Sequence, residues 1–192
     1  KPSDGGPVAV PSQDMVLGIY YLTQERPDSL GEGHYFKNLN EAILAYENGY
    51  VKLHSRIHVR VTKKMADGTE KTGTVESTLG RFIFNEILPQ DLGFVDRSIP
   101  ENDLVLEVDF HVGKKGLKQI LEKVINIHGA TTTAEVLDDI KAMGYKYSTR
   151  AAMTVSISDM TVPEKKPVLI KQAQDTVDLI TKNYKRGLIT EE

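Results

Sequence analysis

"VKLHSRIHVRVTKK", residues 51–64, alternates with a period of two. Leu53, Ser55, Ile57, Val59 and Val61 share one face, and His54, Arg56, His58 and Arg60 share the other, as in a half-buried strand. "ADGT" (66–69) follows as a turn signal, and "KTGTVESTLGRFIFNEIL" (71–88) reads as the returning strand of an antiparallel ribbon. Beyond it, "IPENDLVLEVDFH" (99–111) is expected to add a further strand, or a loop holding Pro100. The stretches on either side of this block have helical spacing instead.

On the N-terminal side, residues 1–12 contain Gly5-Gly6-Pro7 and Pro11 and read as an extended entry. Ser12 resembles an N-cap, and Gln13 to Leu22 reads as a short buried helix bearing Met15, Val16, Ile19, Tyr20 and Leu22, ended by Arg26-Pro27. "LGEGHYF" (30–36) is a glycine-rich loop leading to a short strand. "NLNEAILAYENG" (38–49) places Leu39, Ala42, Ile43 and Tyr46 on one helical face, closed by Gly49.

From about residue 113 the period is helical again. "KKGLKQILEKVINIHG" (114–129) carries Leu117, Ile120, Leu121, Val124 and Ile127 and should stop at Gly129. "TTTAEVLDDIKAMGY" (131–145) suggests a capping box between Thr132 and Glu135, a buried stripe of Ala134, Leu137, Ile140 and Met143, and an end at Gly144. Residues 146–167 read as irregular, then 167–186 as a long helix. In that helix Ile170, Ala173, Val177, Ile180 and Tyr184 recur at 3,4,3,4 spacing, the narrow seam of a coiled coil. "RGLITEE" (186–192) looks like a hairpin tip. The expected class is therefore α+β: a small antiparallel ribbon or sheet with packed helices, plus a C-terminal coiled-coil-type helix.

The composition bounds the chemistry. The 192 residues are 40% hydrophobic and 27% charged, with a net charge of -3, so no global field favours DNA or a membrane. There is no cysteine, which excludes disulfides and thiolate zinc sites and suits a reducing cytoplasm. No apolar run approaches the roughly 20 residues of a membrane span. The five histidines lack helical metal-ligand spacing, "GEG" (31–33) lacks the strand–turn–helix setting of a nucleotide loop, and Asp138-Asp139 sit beside Lys141 on a solvated helix face. No catalytic or metal-ligating residue is expected. His54, Arg56, His58 and Arg60, with Lys63 and Lys64, form a modest basic strip. It reads as the solvated face of a ribbon, or as a contact with nucleic acid, nucleotide or an acidic partner.

Several long strings then carry a family resemblance. "PSQDMVLGIYYLT" (11–23), "LHSRIHVRV" (53–61), "TLGRFIFNEILP" (78–89), "GYKYSTRAAMTVSISDMTVPEKK" (144–166) and "YKRGLITEE" (184–192) resemble, in this order, the bacterial DNA-directed RNA polymerase beta-prime subunit family. The resemblance implies a pore region over 1–112 and a helical funnel region over 113–192, ending at the tip of the first rim helix of the secondary channel. It implies that the family's NADFDGD loop, whose aspartates hold magnesium, lies before Lys1, and that the chain alone polymerises nothing and binds no cofactor. A first residue of Lys likewise suggests a piece of a longer protein.

Carried over, Gln13 and Asp14 would lie near the active centre, and Arg150, Ser156 and Asp159 would line the channel. His54, Arg56 and Arg60 are candidates for nucleic-acid or subunit contact. The implied partners are the beta, alpha and omega subunits, the rest of beta-prime, template DNA, RNA and nucleoside triphosphates, and factors entering the channel. The implied location is cytoplasmic and nucleoid-associated, with no membrane. The competing reading is a free-standing coiled-coil module that docks a protein partner. Such a module would need to close the 170–184 seam within its own chain.

Overall fold

In the computed structural model, which describes residues 6–65 and 67–190, the alternating stretch becomes β2 (Arg56–Lys64). β3 (Glu70–Thr78) runs antiparallel beside it, from Arg56 opposite Thr78 to Lys64 opposite Glu70. Ile57 and Val59 on β2 and Val75 and Ser77 on β3 turn inward. The turn between the strands is held by Asp67, whose Oδ1 accepts the Thr69 amide at 2.9 Å. Ala66 at its start, like residues 1–5 of the entry and 191–192 of the C-terminal tip, lies outside the described residues.

Two sequence expectations change here, and a third, left between two readings, is decided. The short strand β1 (Tyr35–Phe36) pairs parallel to β2, with Tyr35 opposite His58, so the three-stranded sheet is mixed, in the order β1-β2-β3. A parallel neighbour needs a crossover, and helix α2 (Leu39–Glu47) supplies it. Its N-cap Asn38 accepts the Glu41 amide at 2.8 Å, and Glu41 accepts the Lys37 amide in return. Second, residues 71–88 are not one strand. The Thr78 hydroxyl accepts the Arg81 amide, and the chain enters helix α3 (Leu79–Asn85), every residue of which is buried. The alternation stops there because Leu79, Phe82 and Ile83 lie three and four apart. Of the strand and the loop offered for 99–111, the loop holding Pro100 is what forms. It holds a single 3-10 turn, Pro100–Asn102, and its backbone groups are met by side chains instead. Arg97 donates to the carbonyls of Asn102 and Val105, and Asn85 bonds both polar groups of the Val108 backbone.

Helix α1 (Asp14–Leu22) begins after Gln13 rather than Ser12. Ser12 contributes its carbonyl, at 3.2 Å from the Met15 amide. Helix α4 runs from Lys114 to Ala151 and passes through Gly144, contrary to the expected stop. The break is at Gly129, with φ 80° and ψ −176°, where a residue with a side chain would be strained. Beyond it the helix restarts with the Thr133 hydroxyl bonded to the Gly129 carbonyl at 2.7 Å.

The buried stripe is also shifted. Thr133, Val136, Ile140, Gly144 and Tyr147 face inward, Leu137 and Met143 are half-buried, and Ala134 is exposed. The reason is α1. A Cβ on Gly18 would run into the Gly144 carbonyl oxygen, and one on Gly144 would lie 2.6 Å from the Met15 carbonyl oxygen. Gly144 must therefore face α1, and that sets the helix phase. The first half of α4 buries Leu117, Ile120, Leu121 and Val124 as its spacing predicts.

The chain divides into two compact units, one reaching Ala152 and the other starting at Met153. The sequence boundary at 112/113 falls inside the first. The second unit contains a 3-10 turn (Ile157–Asp159) and helix α5 (Lys166–Lys185), with Gly187 at φ 68° after it. On α5, Ile170, Ala173, Val177, Ile180 and Tyr184 are all exposed, the four larger side chains by 50–57%.

Overpacking by one methyl costs about 1–3 kcal/mol, more than the ~1 kcal/mol that alanine gains over glycine in a helix. Gly144→Ala is therefore expected to destabilise the first unit by about 2 kcal/mol in urea unfolding. Gly116→Ala, in the same helix and with only ordinary contacts at 3.5 and 3.8 Å, should be neutral or stabilising. Equal effects at the two positions would contradict the crossing.

Candidate functional site

The mouth of α1 is the first element of the candidate site. Gln13 sits at φ 50°, ψ −123°, a conformation that costs a residue with a side chain about 1–3 kcal/mol, and its side chain makes no capping bond. Asp14 follows in the first helical turn, where the helix dipole favours a carboxylate. Both side chains are exposed. They form a polar lip, with one carboxylate, on a helix whose other end is fixed in the core.

Arg150 lies in the same unit, in the last turn of α4. Its guanidinium sits 5.8 Å from the ring centres of both Tyr46 and Tyr147, and Nη1 donates to the Tyr46 hydroxyl at 3.4 Å. That hydrogen bond raises the Arg150 pKa, so the side chain stays a cation. Burial raises the pKa of the Tyr147 phenol. These groups flank a cavity of about 360 Å³ between α2, α3 and α4, floored by Ile43, Ile83 and Met143 and rimmed by Glu47, Glu86, Asp139 and Lys146. Arg150 therefore stands between two aromatic rings, with the carboxylates of Glu47, Glu86 and Asp139 on the same cavity.

Ser156 and Asp159 belong to the second unit. They form a local box: the Ser156 amide donates to Asp159 Oδ2 at 2.8 Å, and Ser156 Oγ accepts the Ser158 amide. Their hydrogen bonding shapes the loop before α5.

The basic strip is not a single exposed row. His54 precedes β2 and is buried, its Nε2 donating to the Tyr21 carbonyl at 2.8 Å and its ring edge-on to Tyr21. Burial lowers its pKa against the opposing effect of that bond, and Arg26 and His111 lower it further. Arg56 bonds Glu76 at 2.9 Å, Glu25 at 3.1 Å and Asp109 at 3.5 Å. The buried Arg81 reaches the same Glu25 and Asp109, at 3.1 and 3.3 Å, and donates to the Thr23 carbonyl. Arg60 is exposed on β2 opposite Thr74.

Sequence reasoning missed Glu25, Arg81 and Asp109, which tie the end of α1 to α3 and to the segment before α4. The available signal was Arg81 inside the apolar run "LGRFIF", since a cation there must find a carboxylate. Among the described residues, no three His, Asp or Glu side chains converge as metal ligands, and no helix is long and apolar enough to cross a membrane.

Comparison with known proteins defines the class. The family model described as RNA polymerase Rpb1, domain 3, matches residues 1–160, and the chain belongs to that family. Among individual relatives, it is 70% identical to the DNA-directed RNA polymerase subunit beta' of Lachnoclostridium phytofermentans, over all 192 residues and 15% of that protein's length. It is 57% identical to the same subunit of Acetivibrio thermocellus and 53% identical to that of Clostridium perfringens, in each case over the whole chain and 16% of the relative. The chain thus corresponds to a segment of subunit beta', and spans about 15–16% of the length of the curated relatives it matches.

The lowered His54 pKa has a measurable consequence. Above the ordinary histidine value of 6.5 the ring is neutral in both the folded and unfolded chain, and its protonation has no effect. As the pH falls below 6.5 the unfolded chain takes up a proton that folded His54 resists, so stability is lost as the pH falls further toward the folded pKa. Urea midpoints measured between pH 7.5 and 5 should fall for the natural chain, and fall less steeply for His54→Gln. Parallel slopes would contradict the assignment.

Proposed function

We propose that this chain forms part of the wall of the secondary channel of a bacterial RNA polymerase, where incoming nucleoside triphosphates pass and channel-entering factors gain access. The reading rests on the beta' relatives and on one local observation. Gln13 holds a strained backbone at an exposed helix mouth with no capping bond of its own to explain the strain. Strain of that kind persists where the surrounding fold over-determines it, and it clusters at working surfaces. In this reading Gln13 and Asp14 face the active centre. Arg150, with Ser156 and Asp159, adds polar and cationic wall that steers triphosphates by their charge and reacts with nothing.

The nucleotidyl-transfer chemistry then belongs to the assembled polymerase, with magnesium as its metal. The described residues offer no cluster that would fit that ion. This chain's own groups orient and guide, and the isolated chain should extend no primer. The exposed Ile170, Ala173, Val177, Ile180 and Tyr184 seam of α5 would pair with a returning helix of the same subunit to make the channel rim. The remaining partners are the beta, alpha and omega subunits, template DNA and RNA, in a cytoplasmic, nucleoid-associated enzyme.

The test uses a complete polymerase whose beta' subunit carries this segment. One lost hydrogen bond of about 1 kcal/mol corresponds to a several-fold change in an equilibrium. Gln13→Ala should raise the KM for nucleoside triphosphates about three- to tenfold, and Asp14→Asn, which takes a negative charge from the path of an anion, should lower it, with promoter binding unchanged. KM values within error of the parent enzyme for both variants would overturn the placement of the helix mouth.

A further inference from the structure

Three cations converge on the loop that spans Asp96 to Glu107, and two of them hold a carboxylate of that loop in an ion pair. Lys63 on β2 and Lys71 on β3 are cross-strand partners on the sheet face that Leu104 covers at Gly73. Lys71 takes the Asp103 carboxylate at 2.8 Å, with the Pro100 carbonyl at 2.6 Å. Arg97 takes the buried Glu107 carboxylate at 3.0 Å. Lys63 is left with the backbone carbonyl of Asp103 at 3.4 Å. Among the described residues no carboxylate lies within ion-pair distance of it.

The Lys63 side chain lines a cavity of about 210 Å³ with strongly apolar walls: Leu39, Val61, Phe82, Leu104 and Leu106. The two amides that also line it are already engaged. Asn85 bonds the Arg81 carbonyl and both groups of the Val108 backbone. Gln90 donates to the carbonyls of Asn85 and Leu88 and accepts the Glu107 amide. Glu86, the other charged residue of the lining, is exposed. An apolar hollow lined by a cation that holds no ion pair has the composition of a small-molecule pocket, where apolar walls give affinity and one polar group fixes orientation.

We propose that this cavity binds a small aromatic carboxylate, with its rings against Phe82, Leu104 and Leu106 and its carboxylate on the Lys63 ammonium. Burial and the Arg97 guanidinium lower the Lys63 pKa, the charges of Glu107, Asp103 and Asp91 oppose that shift, and a bound carboxylate would oppose it further. Lys64, on the opposite face of β2 and exposed, takes no part. The site is independent of the polymerase reading, because it is defined by side chains within the first unit alone.

The test is a methyl- and amide-observed NMR titration of the 192-residue chain with 2-naphthoate and, separately, with the isosteric but uncharged 2-naphthamide. A charge-assisted hydrogen bond predicts at least about tenfold tighter binding of the acid. The shifts should centre on the methyl groups of Val61, Leu104 and Leu106. Lys63→Met should abolish the preference for the acid, and Lys64→Met should leave it intact. The acid–amide comparison on the natural chain needs no variant, so it decides even where a substitution disturbs folding. Equal affinity for acid and amide, or no methyl shifts at millimolar 2-naphthoate, would overturn the proposal. Shifts produced by a phenylalanyl-aspartate peptide but not by the naphthoate would overturn it in favour of a protein side chain as occupant.

Discussion

Where α1 crosses α4 the two backbones touch. Gly18 lies against the Gly144 carbonyl and Gly144 against the Met15 carbonyl, with no side chain between them. A close crossing of this kind gains dispersion contact along both helices, and any added atom would pry them apart. It also fixes the phase of α4, which is why Val136, Ile140 and Tyr147 turn inward and the break is accommodated at Gly129 instead. With α1 held in this way, its buried Ile19 and Leu22 anchor the core, and its exposed start is carried to a fixed place.

A second layer of constraint is ionic. Arg81 is almost fully buried, and a charge in that setting is tolerated only with partners, which Glu25, Asp109 and the Thr23 carbonyl provide. Arg56 shares both carboxylates, so the end of α1, the start of β2, α3 and the segment before α4 meet in one network. The buried Glu107 does the same for the long loop, accepting from Arg97 and from the Phe94 amide at 2.7 Å. These contacts do for the loop at 99–111 what a strand ladder, the other reading of that stretch, would have done.

Much of the architecture was legible because it is local. The alternation at 51–64, the Asp-Gly turn, the Gly49 end of α2 and the glycine break at 129 each follow from neighbouring residues. What escaped the sequence depends on partners distant in the chain. Gly144 reads as a helix stop until Gly18 is laid across it, and the Ala134 stripe looks sound until that crossing rotates the helix. The parallel pairing of β1 depends on where α2 delivers the chain. The site divides in the same way. Gln13 and Asp14 were singled out by resemblance, while the unusual Gln13 backbone has no signature in the sequence. His54 reads as one of a basic row because its true partner, the Tyr21 carbonyl, belongs to helix α1, distant in the chain.

The working picture is of a segment of a beta' subunit in two units, one with a strained polar lip on a helix held by glycine contact, the other with a helix whose apolar seam is exposed. It stands on the α1–α4 crossing, since the lip has a fixed place only if that crossing exists. A nuclear Overhauser measurement between the Hα protons of Gly18 and Gly144 tests this directly. The account predicts a strong cross-peak between them. Its absence, with both residues assigned and helical, would contradict the arrangement on which the rest depends.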